Sequence, residues 1–226
     1  MSLKPILWIA LISAALAAEM PLAVSDVAPG APGHVRLTNT SRQPVTAWSI
    51  AVTTPGANGG THREVHTTDG YLSEATHGIP GGSANFERLM PGEARQVPID
   101  PVPTGAAVNV VAAVLDDGTA VGDEEALAAI FAHRAKERDA LGAVVEAFKD
   151  VLPARHGADA LAALRERFAA LVQRSDATPC RAALDAVQTY QQKTNADDID
   201  RSLQTYAAFV QKEYDLAARH SQRRRN

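Results

Sequence analysis

One cysteine in 226 residues is the first constraint on this chain. Cys180 alone excludes an intrachain disulfide and a four-cysteine zinc site. An excess of basic residues is also missing: the formal charge is −4 and the pI is near 6.0. That balance argues against a dedicated nucleic-acid binder, whose Lys and Arg cluster on one face. The chain lacks Gly-x-Ser-x-Gly, so no nucleophile elbow is visible. It also lacks Gly-x-x-x-x-Gly-Lys and a Gly-x-Gly-x-x-Gly after a strand, so neither phosphate cradle is present. Gly78 to Gly82 is glycine-rich, but no helix start with a lysine follows it. After Ala17 no stretch approaches the roughly 20 apolar residues of a membrane span. What the chain does have is 46% hydrophobic residues, enough to bury a core.

Residues 1–17 read as an address. Lys4 stands near the amino terminus, residues 6–16 form the apolar run ILWIALISAAL, and Ala15-Leu16-Ala17 places small residues at a signal-peptidase site. The pattern predicts a signal peptide over 1–17 and a mature start at Ala18. An uncleaved anchor is the alternative. No cysteine follows the run, which excludes a lipidated bacterial lipoprotein. The expected location is periplasmic or secreted.

The rest of the chain splits by composition. Residues 19–122 hold 10 of 13 prolines, 13 of 15 glycines, 10 acidic and 5 basic side chains. Residues 123–226 hold two prolines, two glycines, 24 alanines and 16 side chains of each charge. Turn residues in one half and the best helix former in the other predict an α+β protein. The expected domains are an antiparallel β-sandwich over 18–122, about four helices over 123–218 and a basic tail over 219–226. The composition break also predicts that residues 19–122 fold alone.

Short β-branched or alternating runs between turn signals predict strands at 22–27, 34–39, 45–53, 86–89, 95–99 and 108–115. Trp48 is the expected core anchor. Asp117-Gly118 is a favoured type I′ hairpin dipeptide and should fold residues 119–121 back on the preceding strand. Residues 54–82 predict a long excursion or ragged edge strands.

The run VRLTNTSRQPVTAWSIAV, with LMPGEARQVPI much later, resembles bacterial extracellular immunoglobulin-like domains. The segment AAVLDDGTAVGDEEALAAIFAHR is similar to exported bacterial proteins in which such a sandwich, here about residues 22–121, runs into a long helix. The similarity covers roughly residues 22–135. It implies an immunoglobulin-like fold and an exported location, and it transfers no catalytic residue.

In the second half, Asp123 is the expected N-cap, with Glu124 and Glu125 suiting the helix dipole. Leu127, Ile130, Phe131, Leu141, Val144, Val145, Phe148 and Leu152 recur at helical spacing, interrupted by Arg134 and Arg138. Pro153 and Gly157 should end that helix. Leu161 to Val172 mark a second, Thr178-Pro179 caps a third, and Ile199, Leu203, Tyr206 and Val210 mark a fourth. The apolar stripes are narrow, so part of them is expected to await a partner or a second copy.

Several constellations carry candidate chemistry. His62, Glu64 and His66 alternate and would share one face of a strand. With Asp69 and His77 they form a candidate metal set, since imidazole and carboxylate suit zinc or copper. The competing reading is a solvated polar loop. Cys180, near a helix start, is either a reactive thiol, half of an interchain disulfide or a buried apolar residue, and burial is favoured. Asp116-Asp117 with Asp123-Glu124-Glu125 lacks EF-hand spacing and reads as hairpin and cap. Asn39-Thr40-Ser41 matches a glycosylation acceptor. The expectation is a non-catalytic protein-binding or assembly module of the cell envelope, with a protein partner or self-association, no cofactor, no nucleic acid and no membrane span after signal cleavage. The alternative is a metal-binding protein or metal-dependent enzyme built on the loop from His62 to His77.

Overall fold

Turn chemistry decides where the first half bends. Asn39 ends one strand, and its buried side chain donates to the carbonyls of Gln43 (2.8 Å) and Leu89 (2.9 Å) while accepting from the Ser41 amide and hydroxyl. The same bonds consume the amide that the glycosylation reading needed. The structure is a computed structural model and describes residues 19–56, 59–71 and 88–224. The residues of the expected signal peptide, and His77, lie outside them.

Among the described residues seven strands follow in order: β1 Leu22–Ala28, β2 Gly33–Asn39, β3 Val45–Pro55, β4 Thr61–Asp69, β5 Ala94–Ile99, β6 Ala107–Leu115 and β7 Ala120–Gly122. Every pairing is antiparallel, and the strands form two sheets, β1-β2-β5 and β4-β3-β6-β7. Leu22, Val35 and Leu37 of the first sheet share a core with Trp48, Ile50, Val52 and Ala113 of the second. Trp48 is buried at its centre.

The structure differs from the sequence reading at three places in this half. The stretch expected as a long excursion or ragged edge strands contains β4, an edge strand that is regular over nine residues. Of the expected strand at 86–89, residues 86 and 87 lie outside the described residues, and Leu89 makes one bridge to Val45. The hairpin after β6 exists, but its loop has three residues, Asp116 to Gly118. Only Gly118 takes positive φ (84°), which is a type I turn with a following bulge rather than type I′.

Four helices follow among the described residues: α1 Glu124–Val151, α2 Gly157–Arg174, α3 Thr178–Tyr190 and α4 Ala196–His220. Asp123 caps α1 by accepting from the amides of Glu125 (3.0 Å) and Ala126 (3.1 Å). Gly122 sits at φ 124°, and a Cβ there would lie 2.1 Å from the Val111 carbonyl oxygen, so the strand-to-helix step requires glycine. Gly157 does not end the first helix but opens the second, where its amide donates to Asp200 of α4 at 2.6 Å. Ala177, not Thr178, is the N-cap of α3, one residue earlier than expected.

α1 is about 42 Å long at 1.5 Å per residue, and it serves two cores. Its first turns place Ala126, Leu127 and Ile130 on Ala47, Ala112 and Val114 of the second sheet. Its later turns, from Ala140 to Val151, pack with α2, α3 and α4, where Phe148 meets Phe168 edge-on at 5.3 Å. The helical stripes expected to await a partner instead cover one another. The large exposed hydrophobics among the described residues are Val27, Val65 and Met90, all in the β half. No helix among the described residues is long and apolar enough to cross a membrane.

Candidate functional site

β4 is the strand that the sequence pattern hid, and it has the most unusual surroundings. Thr and Val give it β propensity, Gly59 and Gly60 open it and Gly70 closes it. It runs against β3 in unbroken register from Thr61↔Pro55 to Asp69↔Ala47. Hydrogen bonds at both ends, Gly56 N to Gly60 O (2.8 Å) and Gly70 N to Thr46 O (3.0 Å), fix the alternation. Backbone groups of His62, Glu64, His66 and Thr68 therefore point at β3, and those of Thr61, Arg63, Val65 and Thr67 point outward. No described strand lies on that outer side.

Other sheet edges are blunted. β1 carries a bulge between Ser25 and Ala28, with Asp26 at φ 48°. β5 contains Pro98, and β7 has only three residues. Bulges, proline and shortness are the usual devices that keep an edge from pairing with another chain. β4 has none of them. Charged Arg63 and Glu64 stand next to its middle residue, Val65, which is 41% exposed.

The inner end of β4 is bolted to α1. Asp69 accepts from Arg134 Nε (2.7 Å) and Nη2 (2.8 Å), a bidentate pair. Arg134 also donates to Thr46 Oγ1 (3.1 Å) and to the His220 carbonyl (3.0 Å). Its guanidinium carbon lies 4.9 Å from the centre of the Tyr71 ring. Arg134 has no exposed side-chain surface, so its charge is satisfied entirely by protein groups. At the outer end, Arg63 reaches Asp123 (3.4 Å), the cap of α1.

Around this bolt lies a half-buried acid–base cluster. Tyr71 donates to Glu137 Oε2 at 2.8 Å, and burial pushes its hydroxyl far above the usual tyrosine range, with Glu137 adding to the effect. Glu213 is pushed up to about 7, mainly by burial and then by the Glu137 charge. Burial and then Arg134 hold His220 below its ordinary value. The strongest charges are already matched to each other, and the cluster locks β4, α1 and α4 together rather than offering a free nucleophile.

Of the described candidate metal residues, Asp69 separates from His62 and His66. His62 and His66 share the β4 face that looks toward the Trp48 side of the sheet, and His66 Nε2 lies 3.7 Å from Glu64. Asp69 lies on the other face and is held by Arg134. Among the described residues no group of three His, Cys, Asp or Glu is placed to hold a metal ion. Cys180 is buried in α3, and that burial raises its thiol, opposite to what a reactive thiolate needs. The acidic turn and the tail, expected as separate features, meet: Arg224 pairs with Asp117 (2.9 Å) and Arg223 with Glu124 (2.6 Å). The Arg224 amide also bonds the Gly118 carbonyl at 3.0 Å, so the described end of the tail is tied to the turn between β6 and β7 and to the first turn of α1 while its arginines stay exposed.

Arg134 was the residue whose role the sequence did not reveal. Its signal was the interruption of the α1 stripe, four residues after Ile130. No protein-family model, curated protein or solved structure matches the chain.

Proposed function

We propose that the chain is an exported, non-catalytic protein-binding or assembly module of the cell envelope, in which an immunoglobulin-like sandwich presents β4 to an extended segment of a partner. The immunoglobulin-like reading is supported by the strand order, a three-strand sheet against a four-strand sheet with the chain crossing between them after β2, after β4 and after β5. Export rests on the residues 1–17 pattern. The observation that carries the binding role is the outer edge of β4: a regular nine-residue strand whose outward backbone groups, at alternate residues from Thr61, meet no other strand among the described residues, tied at Asp69 to Arg134 and at Arg63 to Asp123. Strand addition draws affinity from backbone hydrogen bonds and specificity from alternate side chains.

A photo-crosslinking residue at Thr67, which is exposed, tests this in the mature protein within its own cells. The expected result is a discrete crosslinked product that is absent when the same residue replaces Ala218 on α4. Equal labelling from both positions, or none from Thr67, refutes β4 as the binding edge.

A further inference from the structure

The order of side chains along β4 specifies a particular occupant of its edge. We infer that the outer edge of β4 pairs antiparallel with β4 of a second copy of this chain, around a two-fold axis at Val65. This rests on the reading of β4 as the binding edge and names the partner.

The argument is one of register. A two-fold axis at Val65 sets Val65 opposite Val65, Arg63 opposite Thr67 and Thr61 opposite Asp69. Thr61, Arg63, Val65 and Thr67 are residues whose backbone groups face outward, and by the same alternation Asp69 belongs with them. Every such group thus meets another of its kind, and the ladder closes without a slip. An axis one residue away, at Glu64 or His66, would also form ladder hydrogen bonds, but it would set Glu64 opposite Glu64 or His66 opposite His66, so the side chains select Val65. The side chains agree with the backbone. Glu64 falls opposite His66 on both sides of the axis, so each carboxylate meets an imidazole and no like charges are juxtaposed. His66 Nε2 is buried and without a hydrogen-bond partner in the single chain, its nearest carboxylate being Glu64 at 3.7 Å. A second copy brings another carboxylate to that side. On the opposite face the two Val65 side chains, the exposed hydrophobics of this edge, cover each other. The product is one continuous sheet running β7-β6-β3-β4 into β4-β3-β6-β7 of the second copy, and an isologous contact of this kind closes.

Sedimentation equilibrium of the mature protein, from micromolar to millimolar concentration, measures the association. Three variants locate it. Val65→Pro removes an amide that points away from β3, so the β3–β4 ladder stays intact and edge strands tolerate the ring. The loss counts twice in a symmetric pair, which weakens dimerisation roughly thirtyfold. Glu64→Lys sets a cation opposite His66 and also weakens the dimer. Adding His66→Glu to Glu64→Lys restores opposite charges across the axis and restores the dimer. Circular dichroism confirms that each variant is folded, and the charge-swap pair remains informative if Val65→Pro is not. A protein that stays monomeric throughout overturns the inference, as does a dimer indifferent to Val65→Pro and to Glu64→Lys. If Thr67 crosslinks only to a different protein, self-pairing is refuted while β4 remains the binding edge.

Discussion

Replacing Arg134 by methionine removes the cation that holds the sheet to the helices. In the native chain the guanidinium is fully buried and bonded to both oxygens of Asp69, to Thr46 and to the His220 carbonyl. Methionine is similar in length and fills much of the space, so the dominant loss is electrostatic. The Asp69 side chain is only 7% exposed, and without Arg134 its carboxylate is left buried and uncompensated. Breaking one side of a buried pair costs about 3–5 kcal/mol. Against a total stability of about 5–15 kcal/mol for a folded domain, that is a large fraction. Removing both partners, as Arg134→Met with Asp69→Leu, eliminates the orphan charge, and the double variant should recover most of the loss. Urea unfolding followed by far-ultraviolet circular dichroism at pH 7, on wild type, both single variants and the double, gives the coupling energy directly. A single Arg134→Met variant within about 1 kcal/mol of wild type would refute the reasoning, because it would place Asp69 in effective contact with water.

Glu213 gives a pH-dependent prediction. Its folded value, about 7, lies above its ordinary carboxylate value, so the folded chain binds the extra proton and stability falls as pH rises from about 4.5 through 7. Discounted for partial exposure, the penalty at pH 8 is about 2 kcal/mol. Glu213→Gln should therefore stabilise the protein at pH 8 and change little at pH 4, as thermal melts at the two values will show; a variant no more stable at pH 8 contradicts the assignment. For export, mass spectrometry of the mature protein should show an amino terminus at Ala18, and an intact Met1 would point to an anchor instead.

β2 and β5 are legible because they bury alternate residues between turn signals, and β3 because it is buried on both faces as a nearly continuous apolar and β-branched run. β4 is not, for a physical reason: both of its faces are largely open to solvent, and Val65 is its one aliphatic residue apart from the threonine methyls. A strand that buries little has no hydrophobic period to show. Its only trace was the alternation of His62, Glu64 and His66, which suggested a ligand set before it suggested an edge. The helices were legible from spacing and from the Asp123 cap. The start of α2 at Gly157 has no local signal, because the N-cap His156 makes no side-chain bond and the acceptor of the Gly157 amide, Asp200, comes from 43 residues away. Long-range partnership also hid the bolt: Asp69 and Arg134 were each noticed, one as a candidate ligand and one as a break in a stripe, but nothing local joins residues 65 apart. The same bolt bears on the division at residue 122. A fragment of residues 19–122 loses the helix that covers Ala47, Ala112 and Val114 and leaves Asp69 without its cation, so its stability measures how much the sheet depends on α1.

Residue-resolved amide hydrogen exchange along β4 tests the central claim most directly, because the claim assigns each amide a side. In dilute protein, the amides of Arg63, Val65 and Thr67 should exchange freely while those of Glu64, His66 and Thr68 are protected by β3. At high concentration Arg63, Val65 and Thr67 should gain protection together. Protection of Val65 at every concentration would mean that the edge is already covered within one chain. Free exchange of Val65 at every concentration would mean that it pairs with no second copy. Either result contradicts the account.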